Sequence, residues 1–273
     1  MDELKGKLLK ANVDGKFFEF VQEVYYQDRK DEKLLPSLLA ELHNEGQLNL
    51  VEIFHSFKNT AENHDFFSVR RVFEEVLPLI NAPVAEVVQC VKHLTLEAGQ
   101  DAFTYTLMSP FKEFCKKDTD RTKALLDIAL TYIDEDFDYL TTAIEAGASN
   151  DETTYVNQAI ELLTHENELI IQRAIFALGR INFQDQMLLE PVAIAITKSS
   201  MSSPTDVILA TSMRALFAVV SQSDDLESLF LDFLHTHSDH LDDRYIHAAS
   251  EILFYDEKKV SSNVEPMLLN ICR

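Results

Sequence analysis

The chain has no tryptophan, six glycines, seven prolines and three cysteines in 273 residues, and each shortage removes a class of protein. Turn formers this sparse do not furnish the hairpins of an all-β fold or the loops of a loop-rich α/β enzyme. Cys90, Cys115 and Cys272 lie far apart, are odd in number and form no CxxC pair. That argues against a disulfide framework and fits a reducing compartment. No apolar run approaches the ~18 residues of a membrane-spanning helix. The opening MDELKGKLLKANVDG mixes acids with lysines and lacks an apolar h-region, so no secretory signal is expected and the cytoplasm is the expected location. GxxxxGKS/T, GxGxxG, GxSxG and HExxH do not occur, which leaves phosphate-loop and common hydrolase chemistry unsupported.

Bases are the other shortage. The chain carries 46 acids against 24 bases, a net of −22, and the excess is uneven. Residues 1–130 hold 22 acids and 16 bases, a net of −6; residues 131–273 hold 24 acids and 8 bases, a net of −16. Nucleic acids demand clustered Lys and Arg, so no nucleic-acid partner is expected. A basic protein surface would be attracted. The plainer reading is that acidity keeps a long surface soluble.

What is abundant is Leu, Ala, Glu and Phe, with 46% hydrophobic residues. The expectation is an all-α chain with a large core, either one elongated domain or two smaller ones. Glu152–Asn182 has the clearest pattern. Val156, Ala159, Ile160 and Leu163 recur at i, i+3, i+4, i+7 on one helix face. Thr164-His165-Glu166-Asn167 is a polar turn, with Asn167 as N-cap of the helix that follows. That helix buries Ile170, Ala174, Ala177, Leu178 and Ile181, and its alanines with Gly179 let a neighbour approach closely. Ser149 has capping-box spacing to Glu152. A hairpin this small needs stacked neighbours to cover its apolar face.

The run Ile171-Gln172-Arg173-Ala174-Ile175-Phe176-Ala177-Leu178-Gly179 resembles the second helix of a HEAT repeat, over about a ninth of the chain. Arg173-Ala174 and Phe176 recur 41 residues on as Arg214-Ala215 and Phe217, and His247-Ala248 follows after 33 more. The resemblance implies a right-handed α-α superhelix, a HEAT-like solenoid of antiparallel helix pairs. Residues 131–273 would hold the HEAT-like repeats and residues 1–130 an irregular α-helical N-terminal part, the whole forming one continuous solenoid. In such a solenoid the second helices line the concave face. Gln172, Arg173, Phe176 and Arg180, with their counterparts Met213, Arg214, Phe217 and Ser221, would then be candidates for touching a partner. Equally, the arginines would ladder with acids of adjacent repeats while the phenylalanines pack between them.

Elsewhere the pattern places helices from Phe17 to Tyr25, after Pro36, near 49–59, 64–80 and 101–116, after Pro83, and at 119–133. Later ones are expected near 185–197, 225–236 and 257–271. Residues 1–14 read as a polar, frayed start, Asp28–Lys33 as a solvated connection and Ser199–Pro204 as a flexible loop. Ser203 would cap the next helix in a box completed by Asp206.

Three side-chain clusters invite chemistry. His235-Thr236-His237-Ser238-Asp239-His240 resembles the HxHxDH zinc motif of metallo-β-lactamase-like hydrolases, whose imidazoles and carboxylate position an activated water. Its flanks read as helices rather than that family's strand, with Ser238 and Asp239 capping a helix near Leu241. Asp134 to Asp138 with Glu145 imitate an EF-hand loop, yet Tyr139 stands where the turn needs Gly; the acids suit a helix N-terminus. Lys112, Lys116, Lys117, Arg121 and Lys123 form the one basic cluster, and a solvated helix end accounts for them. The expected function is a non-catalytic scaffold or adaptor, presenting an acidic curved surface to a basic protein and needing no cofactor. An inhibitor or immunity-type protein covering a cationic enzyme is one form of it. The alternative is a metal-dependent hydrolase using His235, His237, Asp239 and His240.

Overall fold

Helix periodicity carries through almost the whole chain, and the computed structural model bears out the all-α expectation. It describes residues 2–28, 34–60, 66–99, 107–223, 225–240, 242–256 and 259–273. Among these are sixteen α-helices and no strand. The expected connection at 29–33 and the first residues of the helix expected from 101 lie outside the described residues. The chain divides into two units, residues 1–125 and 126–273, with the division inside α8.

Unit 1 holds α1 (Asp2–Val13), α2 (Phe17–Asp28), α3 (Leu34–Asn44), α4 (Leu50–His55), α5 (Phe66–Val76), α6 (Val84–Ala98), α7 (Met108–Lys116) and the start of α8 (Thr119–Thr131). The N-terminus is not frayed. Leu8 and Ala11 fall on one face of α1 and are buried, and α1 packs on α2. Aromatic rings form the centre: Phe18 lies 4.1 Å from Phe57, which stacks on Phe66 at 5.1 Å, while Phe54 lies 4.6 Å from Phe73. Such pairs add to what their burial alone contributes. Gly46 ends α3 with φ +73°, a backbone conformation that side-chain-bearing residues rarely adopt.

Unit 2 continues with α9 (Tyr139–Ala148), α10 (Glu152–Leu162), α11 (Glu168–Arg180), α12 (Leu189–Ser202), α13 (Asp206–Val220), α14 (Glu227–Thr236), α15 (Asp243–Tyr255) and α16 (Glu265–Ile271). Helices α9, α11, α13 and α15 pack one against the next. So do α10, α12, α14 and α16, making a second row behind the first. A Cβ on Gly179 of α11 would sit 2.7 Å from Ala215 Cβ of α13, so bare backbone is what permits their approach. Polar side chains tie successive turns together. The Glu152 carboxylate accepts the amides of Gln184 and Asp185, and Gln222 accepts the Phe183 amide while donating to the Ile181 carbonyl.

Several caps differ from the expected ones. Asn167 caps α11 by accepting the Leu169 amide, as expected. For α10 the cap is Asp151, which accepts from Thr154, whereas Ser149 ends α9 and its hydroxyl donates to the Glu145 carbonyl. For α13 it is Thr205, not Ser203. The reason is that Ser199–Ser202 are helical rather than a loop. Ser199 and Ser200 are buried, and their hydroxyls donate to the carbonyls of Leu163 and Thr197. Helix α15 is capped by Asp242, not by Ser238 or Asp239.

Candidate functional site

The α9–α11–α13–α15 row carries an arginine-bearing face. Arg173 is 8% exposed. Its guanidinium donates to the backbone carbonyls of Asp134 and Glu135, and its Nε lies 3.5 Å from Asp138 Oδ1. Asp138 in turn caps α9 by accepting the Thr141 amide. The acidic run that imitates a calcium loop therefore wraps a guanidinium. Arg180 pairs with Glu145 of α9, and Arg214 with Glu251 of α15. This is the ladder of arginines and neighbouring acids that the repeat pattern allows.

The other residues of the stripe divide by burial. Met213 and Phe217 are buried, Phe217 with its ring 5.4 Å from Phe230. Gln172 and Arg214 are half-buried. Phe176 is 42% exposed, with the Arg180 guanidinium 5.4 Å over its ring. Of the six candidates, Gln172, Phe176 and Arg214 reach the surface; Arg173, Met213 and Phe217 hold the helices together instead.

The histidine-rich motif is spread across the corner between α14 and α15. His235 is exposed in the last turn of α14, His237 follows its end and Asp239 is exposed. His240 alone among them joins a cluster of potential ligands. Its Nε2 lies 3.1 Å from Oδ1 of Asp206. Among the described residues, Asp206, His240 and Asp242 are the one group whose donor atoms lie within 4.8 Å of one another. Burial, and then the neighbouring His240, push His237 below the ordinary histidine range. The sequence motif overlooked Asp206 and Asp242. They stand at the starts of α13 and α15, 36 residues apart, so the repeat spacing was the signal that could have paired them.

A groove of about 790 Å³ between α10 and α12 is lined by Ile160, Leu163, Ile171, Pro191, Ile194 and Lys198, among others. In the basic cluster of unit 1, Lys116 and Arg121 have partners within that unit. Lys116 pairs with Glu113 at 2.8 Å, and Arg121 lies 4.1 Å over the Phe114 ring while donating to Phe114 O and Asn81 Oδ1. No helix among the described residues is long and apolar enough to cross a membrane. No family model matches the chain, and neither a curated protein nor a solved structure matches it.

Proposed function

We propose that unit 2 is a HEAT-like right-handed solenoid acting as a non-catalytic scaffold or adaptor in the cytoplasm, with its acidic surface as the docking face for a basic protein. Two rows of alternating helices, bridged by side chains at each turn, support the architectural half of that reading. One observation carries the functional half. Three of unit 2's arginines, Arg173, Arg180 and Arg214, each engage neighbouring carboxylates or carbonyls. Carboxylates such as Glu161, Glu166, Asp225 and Asp232 stay exposed. Each of the three arginine pairs is neutral, so the net of −16 over residues 131–273 rests on carboxylates outside them. Such a surface steers and holds cationic partners.

Co-purification from the native host at low and at about 0.5 M salt tests the reading, since screening weakens exposed charge pairs. The expected result is a basic protein retained at low salt and released at high salt. No retained protein, or one indifferent to salt, overturns it.

A further inference from the structure

We propose that Asp206, His240 and Asp242 form a binding site for a first-row divalent cation such as Zn²⁺, joining the starts of α13 and α15. The donor chemistry is mixed imidazole and carboxylate, a set suited to zinc and its neighbours rather than to calcium. The spacing fits as well. Two ligands each about 2.1 Å from a tetrahedral metal stand roughly 3.4 Å apart. Nε2 of His240 and Oδ1 of Asp206 stand 3.1 Å apart, an ion-pair distance that a shared metal would widen by a few tenths of an ångström.

A second observation points the same way. The Nε2 atoms of His237 and His240 and the hydroxyl of Tyr245 are all buried without a hydrogen-bond partner. Native proteins leave few such atoms, and water or an ion accounts for many of them. Tyr245 is fully buried, and its ring stands edge-on to His240 at 5.2 Å, fixing the imidazole's plane. Asp242 is held from the other side, because its Oδ1 accepts the Arg244 amide as the cap of α15. Two of the three ligands thus belong to ordered helix starts and the third is braced by an aromatic ring, so little ordering remains for the cation to impose.

The role that follows is a staple between two successive helices of the row, not catalysis. The ligand set also differs from the sequence motif, sharing only His240 with it.

Titration of chelator-stripped full-length protein with Zn²⁺, followed by calorimetry, reads the site directly; the visible spectrum of the Co²⁺ form reports its ligands. One saturable equivalent is expected, with an affinity lowered at least tenfold in Asp206→Asn, His240→Gln and Asp242→Asn. Asp242→Asn keeps an equally good helix cap, so its metal-free melting should match the parent and separate metal loss from misfolding. His235→Gln and Asp239→Asn should bind as the parent does. The proposal is overturned if no saturable equivalent binds, if only several weak equivalents bind, if His240→Gln binds as tightly as the parent, or if His235→Gln loses the metal.

Discussion

Gly179 shows how one missing methyl sets the distance between two helices. By helix propensity alone, Gly179→Ala would be worth about 1 kcal/mol of stabilisation. The added Cβ would instead meet Ala215 Cα at 2.6 Å, which backbone can relieve only by moving apart. A net loss of about 1–3 kcal/mol is expected from overpacking, measurable as a lowered chemical-denaturation midpoint. Arg173 is the second decisive residue. Arg173→Met leaves two carbonyls and Asp138 without their donor, and a loss of about 3–5 kcal/mol is expected for breaking a buried charged network. Asp138→Asn keeps the cap of α9 and should cost clearly less. Gly179 was legible as a close-approach residue because it ends an Ala-rich helix face. Arg173 was legible as basic and repeated, but not as buried, since its partners are backbone carbonyls that leave no mark in a sequence.

Among the elements, those with one apolar stripe and a side-chain cap were legible, as the α10–α11 hairpin was. Misplaced boundaries arose where several residues competed for one cap. Ser149, Asn150 and Asp151 could each begin α10, and geometry rather than residue type selects Asp151. The serines of α12 misled for a related reason. Hydroxyls that read as solvated loop instead donate back to carbonyls, which makes serine tolerable inside a helix. Helices α6 and α7 carry a prediction of their own. Burial pushes the thiols of Cys90 and Cys115 up to about 12, so neither forms a thiolate near neutral pH. In native protein a thiol reagent should modify half-buried Cys272 first, with Cys90 and Cys115 reacting only on unfolding. The linked pH effect has a definite sign. Both thiols have folded values above the unfolded one of about 8.5, so their contribution is intact below that pH and is lost progressively as pH rises toward about 12. Denaturation midpoints at pH 8 and 10 check this, and Cys90→Ala should flatten the decline.

For the molecule as a whole, charge was legible from composition, but its distribution needed coordinates. The pairing of Arg173, Arg180 and Arg214 shows which carboxylates are already neutralised. Reversing exposed acids, as in Glu161→Lys with Glu166→Lys, should weaken capture of a basic partner several-fold and flatten its salt dependence, while leaving the melting temperature nearly unchanged. The candidate ligand set was not legible because its members come from two helix starts 36 residues apart, and a local motif supplied a louder but scattered alternative.

Arg173 has a consequence for how the protein responds to its ionic surroundings. At the Asp134–Asp138 loop the cation is part of the polypeptide, so it cannot be stripped by a chelator, diluted away or exchanged for magnesium. The Asp206–His240–Asp242 corner would have to borrow its cation from solution. A single domain would then contain one joint that is permanently set and another that tightens with metal supply, and a chelator should loosen the end bearing α13 and α15 while leaving α9 and α11 untouched. Hydrogen exchange with and without chelator would show that difference helix by helix.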